Sequence, residues 1–271
     1  MKEIIGFVGA GNMCQALVEG WLTKKLIEPA SVLATNRTPG KIKKLIEHFP
    51  GVREISTNEE LVDESNVVIL AVKPQDMIAA IEPISSTFRA DQIVVSLAAG
   101  VPLSRLRKLL PQCPHLVRVM ANTPAKIMKG TFGYCTRSTD LVVDRFMDRM
   151  FQPLGLTTKL EEGEQFEAFA IATSAGIGFI YEFMIYWQEW LEERGIDSAL
   201  AQQMTVETFS GAAELALRSL PQSLDELQAK VTSKKGITAA GLESMRELEI
   251  ERLLRYSFEK AALRDRELSQ D

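Results

Sequence analysis

Apolar positions along the first 160 residues fall into two alternating patterns. Short β-branched runs predict strands at Ile4–Val8, Ser31–Thr35, Val67–Val72, Ile93–Leu97 and Leu116–Met120. Two weaker candidates follow at Gly133–Thr136 and Leu156–Leu160. The run Val67-Val68-Ile69-Leu70-Ala71-Val72 is apolar throughout, as expected of a strand covered on both faces. Helical stretches separate the runs: Thr57-Asn58-Glu59-Glu60 reads as a capping box, and Pro74 and Pro102 suit a first helical turn. Strand–helix–strand repetition predicts a doubly wound parallel sheet. From Glu161 onward strand signals stop, and helical patterns cover Glu164–Arg194, Ser198–Leu220, Ser223–Lys230 and Thr238–Glu267, with Ser223-Leu224-Asp225-Glu226 reading as a second capping box. The expected class is therefore α/β, with a Rossmann domain over 1–160 and an all-α domain over 161–271. Small residues Ser210, Gly211, Ala212, Ala213 and Ala216 suit close helix packing, and so much apolar helical surface predicts pairing with a second copy.

Composition narrows the function. The 271 residues carry 31 Lys plus Arg against 36 Asp plus Glu, a net charge of −5, without the basic excess typical of a nucleic-acid binder. The uncharged run Ala168–Tyr181 falls short of the roughly 20 residues a bilayer span requires and reads as a buried core helix. No partner in nucleic acid or membrane is expected. The opening MKEIIGFVGAG lacks the character of a signal peptide, and Cys14, Cys113 and Cys135 form neither a disulfide framework nor a zinc motif, so a cytoplasmic location is expected. With His48 and His115 the only histidines, neither a histidine metal site nor a catalytic triad is expected.

The chemistry is concentrated at strand ends. Gly9-Ala10-Gly11-Asn12-Met13-Cys14 follows a strand and opens a helix, the setting of a dinucleotide fingerprint: Gly9 permits the turn, Gly11 the approach of a pyrophosphate, and the helix start supplies N–H groups. Cys14 takes the place of the usual third small residue. After the second strand stand Asn36, Arg37 and Thr38, with no acidic residue beside them in the chain. That pattern matches the 2′-phosphate of NADP(H), although a solvated loop arginine fits too. Val72, Lys73 and Pro74 end the next strand and are candidates for the nicotinamide side, Lys73 being equally readable as a surface lysine. Ala98 and Asn122 end two further strands; Asn122 either offers its amide to a ligand or caps its own loop.

These segments resemble the pyrroline-5-carboxylate reductase family. The resemblance is carried by IGFVGAGNM, AVKPQ, SLAAGV and RVMANTPA, then by TFSGAAELA, KVTSKKGITAAGLESM and RDREL, in order along nearly the whole chain. It implies NADPH-dependent reduction of 1-pyrroline-5-carboxylate to L-proline by hydride transfer to a cyclic imine. It further implies a homodimer, often in higher assemblies, and an imino-acid substrate whose carboxylate is held by Ser233, Gly236 and Thr238. Ser233 and Thr238 would be the catalytic pair, Thr238 also bonding the ring nitrogen. The chain departs from the family at three places, the mildest being Met120-Ala121-Asn122 where the family reads MPNTPA. VTSPGGTT becomes Val231-Thr232-Ser233-Lys234-Lys235-Gly236-Ile237-Thr238, so the lysines either hold an extra anionic group or are solvated. SGSGPAY becomes Thr173-Ser174-Ala175-Gly176-Ile177-Gly178-Phe179, so without the proline the core helix is expected to run on unkinked. Two alternatives stand beside this reading: a reductase of another imine, and a non-catalytic NADP-binding regulator. A 3-hydroxyacid dehydrogenase is disfavoured because Glu167–Tyr186 holds no lysine.

Overall fold

The apolar runs become the centre of one eight-stranded sheet in a computed structural model that describes residues 3–37 and 40–270. In chain order the strands are β1 Ile5–Val8, β2 Val32–Thr35, β3 Arg53–Glu54, β4 Val67–Leu70, β5 Ile93–Ser96, β6 His115–Ala121, β7 Gly130–Thr136 and β8 Gly155–Lys159. Across the sheet they lie β3-β2-β1-β4-β5-β6-β7-β8, so strand order reverses at β1/β4. All residues of β1, β2, β4 and β5 are buried, which is why their sequences are apolar on both faces.

Three details differ from the sequence expectation. The two-residue β3 is exposed and carries no apolar signal. Ala71 and Val72 leave β4 at the sheet edge, although the apolar run continues through them. Finally, β7 runs antiparallel to β6, because the short 3-10 turn Thr123–Ile127 joins them and cannot make a parallel crossover.

Side chains alternate between two cores, one on each face of the sheet. Ile5 and Phe7 point to one with Trp21, Phe132 and Phe151; Val8 points to the other with Leu61, Leu70 and Leu106. Trp21 satisfies its buried indole N–H on the Met150 carbonyl at 2.6 Å. Cys14, Cys113 and Cys135 are free and buried. Burial raises all three thiols, Cys113 to about 11 and Cys135 to about 12, so they pack as small apolar groups.

After β8 the described chain is helical. Tertiary contacts divide it into one unit of residues 1–175 with 261–271 and another of 176–260. Asp197 caps the helix Ser198–Arg218 and accepts from the Ala199 and Leu200 amides; Ser223 and Glu226 form the expected capping box.

The segment expected to run on as a helix does so from Glu164 to Glu192, but not in regular α geometry throughout. Helix Glu164–Phe169 passes into a π-helical turn, Ala170–Ala175, before helix Gly176–Glu192. Side chains and carbonyls there bond elsewhere: Thr173 Oγ1 donates to the Phe169 carbonyl at 2.7 Å, and Ser174 Oγ to the Ala121 carbonyl at 2.7 Å. Losing the proline therefore does not restore regular α geometry. The expectation of a buried core helix also needs correction, since only 17% of the most apolar stretch of Glu164–Glu192 is buried within one chain. By length and composition alone, that segment is long enough to cross a bilayer.

Candidate functional site

The carboxyl ends of β1, β2, β4 and β5 share one edge because these strands are mutually parallel. At the centre is the turn after β1. Gly9 has φ +103°, and a Cβ there would lie 2.9 Å from the Ala71 carbonyl oxygen, so only glycine fits. Its amide donates to the Thr35 carbonyl at 3.0 Å, joining the ends of β1 and β2. Gly11 is different: a Cβ there would meet nothing within 4 Å, so its lack of a side chain keeps space open in front of the turn. Gly11 is also the N-cap of helix Asn12–Thr23, and no side chain caps that helix. The first-turn amides, including those of Asn12 and Met13, thus point toward this space with the positive end of the helix dipole. Cys14 fits the third position by being fully buried against the sheet.

Asn36 faces the turn itself. Its Oδ1 accepts from the Ala10 amide at 3.3 Å, so this predicted cofactor contact also fixes the glycine turn. Arg37 is highly exposed, and its Nη1 lies 3.3 Å from Asp76 Oδ1. Thr38 lies outside the described residues. Val72 is half-buried and Lys73 exposed on the extended backbone after β4; Pro74 opens the 3-10 turn Pro74–Asp76, as its fixed φ favours. Ala98 is buried beyond β5, with its amide 3.4 Å from Ser96 Oγ.

Asn122 is drawn inward. Its Nδ2 donates to Thr131 Oγ1 at 2.7 Å and to the Thr173 carbonyl at 3.0 Å, while its Oδ1 accepts from the Thr131 amide at 2.9 Å. The side-chain amide is consumed inside the protein. Of the two sequence readings, these bonds match the loop-holding one and leave no amide hydrogen to offer a ligand. The antiparallel β6–β7 pair is the cause, since it brings Thr131 beside Asn122.

The predicted substrate loop belongs to the 176–260 unit. Gly236 is the N-cap of helix Ile237–Glu247, which again has no side-chain cap. A Cβ on Gly236 would lie 2.2 Å from Ser233 Oγ, so glycine is required for the serine hydroxyl to fold over the helix start. Ser233 and Thr238 are both exposed, Thr238 in the first turn. Lys235 takes the left-handed φ of +59°. Ile237 is 94% exposed within one chain, an unusual position for an isoleucine. The arrangement offers an anion two hydroxyls and a set of unpaired helix-start amides.

Two polar features had no sequence signal. Asp76 reaches Arg37 only through the fold. Arg118, nearly buried in β6, lies over the Phe166 ring at 4.5 Å and pairs with Glu162 at 3.4 Å. Glu162 in turn accepts from the Leu103 amide at 2.7 Å and so caps helix Leu103–Leu109. Among the described residues no three His, Cys, Asp or Glu side chains gather as metal ligands.

Known proteins resemble this chain in two stretches. Residues 4–100 match the family model described as NADP oxidoreductase coenzyme F420-dependent, and residues 163–268 match that of pyrroline-5-carboxylate reductase dimerisation. The pyrroline-5-carboxylate reductase of Pseudomonas aeruginosa is 29% identical over 98% of this chain and 97% of its own. Among solved structures, that from Coxiella burnetii superposes with a TM-score of 0.87 at 28% identity, covering 99% of both chains. A Plasmodium falciparum pyrroline carboxylate reductase solved with NADP bound shares the fold at TM-score 0.87 and 20% identity, over 98% of both chains. The enzyme of Haemophilus influenzae is 31% identical over 89% of this chain and 88% of its own. Matched at that identity over most of its length, with the glycine turn in place at the sheet edge, this chain belongs to the pyrroline-5-carboxylate reductase family.

Proposed function

We propose that this chain reduces 1-pyrroline-5-carboxylate to L-proline, the last step of proline synthesis, with NADPH as reductant. The observation that carries the reading is the open, uncapped helix start behind Gly9 and Gly11 at the β1/β4 reversal, in a chain of this family. When bound, the nicotinamide supplies a hydride to the carbon of the C=N bond, whose nitrogen takes a proton. The chain's own residues bind and orient. Gly9 and Gly11 admit the pyrophosphate to the amides of Asn12 and Met13. Asn36 holds the turn, and Arg37 with Thr38 serves the adenosine phosphate. Val72, Lys73, Pro74 and Ala98 belong to the nicotinamide side.

Ser233, Gly236 and Thr238 hold the substrate carboxylate at the start of helix Ile237–Glu247, and the Thr238 hydroxyl bonds the ring nitrogen. A protonated imine is already electrophilic, so alignment is the main requirement and a strong base is not. In the proposed domain division a Rossmann domain spans 1–160 and a helical domain over 161–271 joins two copies. Exposed Ile185, Tyr186, Trp187 and Trp190 support a homodimer, since so many large apolar side chains rarely stay in water. A cytoplasmic enzyme without nucleic-acid or membrane partners, open to higher assembly, completes the proposal.

Purified full-length protein mixed with NADPH and racemic pyrroline-5-carboxylate tests it, followed by loss of NADPH absorbance. Rapid oxidation is expected. Turnover confined to another imine would favour the second reading, for which Lys234 and the left-handed Lys235 speak. Binding without any turnover would favour a regulator.

A further inference from the structure

We propose that Asp76 is a specificity-determining residue at the adenosine end of the dinucleotide site, where its ion pair with Arg37 lowers the preference for NADPH over NADH. The inference rests on the cofactor reading above. Along the chain, Thr35-Asn36-Arg37 ends β2 without an acidic neighbour, the pattern of an NADP site. The fold supplies the missing carboxylate. β1 lies between β2 and β4, and the turn Pro74–Asp76 that follows β4 brings Asp76 Oδ1 to 3.3 Å from Arg37 Nη1.

Asp76 stands at the N-cap position of Met77–Ile81 yet accepts no capping bond from that segment. Its carboxylate meets Arg37 instead. The two side chains are 35% and 85% exposed, and an ion pair so wet contributes little to folding. Its consequence lies in what else can use the guanidinium. A 2′-phosphate carries nearly two negative charges and would share Arg37 with a carboxylate a few ångströms away. Like charges at that separation repel even in water. The 2′-hydroxyl of NADH is neutral and donates a hydrogen bond, for which a carboxylate is the usual acceptor. One side chain therefore works against the first cofactor and for the second.

The test is binding rather than turnover. Full-length wild type, D76N, D76S and R37Q are titrated with NADPH and NADH by nucleotide fluorescence, and with 2′,5′-ADP and 5′-ADP by calorimetry. Both Asp76 variants are expected to tighten NADPH and 2′,5′-ADP by about three- to tenfold, with NADH and 5′-ADP unchanged or weaker. An NADPH-to-NADH affinity ratio that stays level or falls in both variants overturns the proposal. If wild type binds neither dinucleotide, or R37Q leaves NADPH affinity intact, the cofactor reading fails and takes this inference with it. If R37Q loosens NADPH while the Asp76 variants change nothing, only the role of Asp76 falls.

Discussion

Single residues carry most of the chemistry here, and backbone geometry decides which residues are allowed. Gly9 combines φ +103° with a backbone oxygen where its Cβ would stand. Gly9→Ala should cost about 1–3 kcal/mol, read as a lower melting temperature, and should weaken NADPH binding in the same protein. Lys235 presents the opposite case. It holds φ +59°, where L side chains are disfavoured, at a position the family fills from a Pro-Gly-Gly stretch. Lys235→Gly should stabilise the chain by about 0.5–1 kcal/mol in urea melts, the relief of left-handed strain outweighing the added freedom of the unfolded glycine. Thr238→Ala should remove a donor to the substrate carboxylate. The substrate KM is expected to rise roughly tenfold or more, with the NADPH KM unmoved; an unchanged substrate KM would remove Thr238 from the site. Gly9, Gly11 and Arg37 were legible in the sequence because their spacing from a strand end is local. Asp76 was not, because it meets Arg37 across 39 positions and the intervening chain gives no sign of that contact.

At the scale of elements, the buried strands and the capped helices were equally open to sequence reading. Continuous apolar runs and the Ser223–Glu226 box are local signals that tertiary packing did not override. The π turn Ala170–Ala175 was hidden, since it depends on where the carbonyls of neighbouring elements go. Asn122 ties that turn to β7 through Thr173 and Thr131. Asn122→Ala would leave partly buried polar groups on both elements without their partner. It should lower stability by about 1–3 kcal/mol in thermal or urea melts. A variant that melts like the wild type would show that water replaces the amide at no cost.

Across the whole molecule, the helical unit holds apolar side chains that one copy of the chain leaves in water. Tyr186, Trp187 and Trp190 lie along one helix, and the dimerisation match covers that segment. A charge there should prevent a second copy from covering it. Trp190→Glu is expected to shift sedimentation from dimer toward monomer and to lower turnover with it. A variant that sediments as the wild type does would place the partner's surface elsewhere.

What the sequence determined by itself is what short stretches of chain encode: the buried strands, the glycine turn and its helix start, the Thr57 helix cap and the Ser223–Glu226 capping box, and the order of family segments. Each depends on neighbours a few positions apart, whose geometry is set by backbone sterics and by period. Tertiary structure alone decided that Asn122 spends its amide inside the protein, that β7 turns back against β6, that a π turn interrupts the long apolar helix, and that a carboxylate stands beside Arg37. Those outcomes depend on which groups the sheet order brings together, and a hydrogen bond or an ion pair acts over distance in space without regard to distance along the chain.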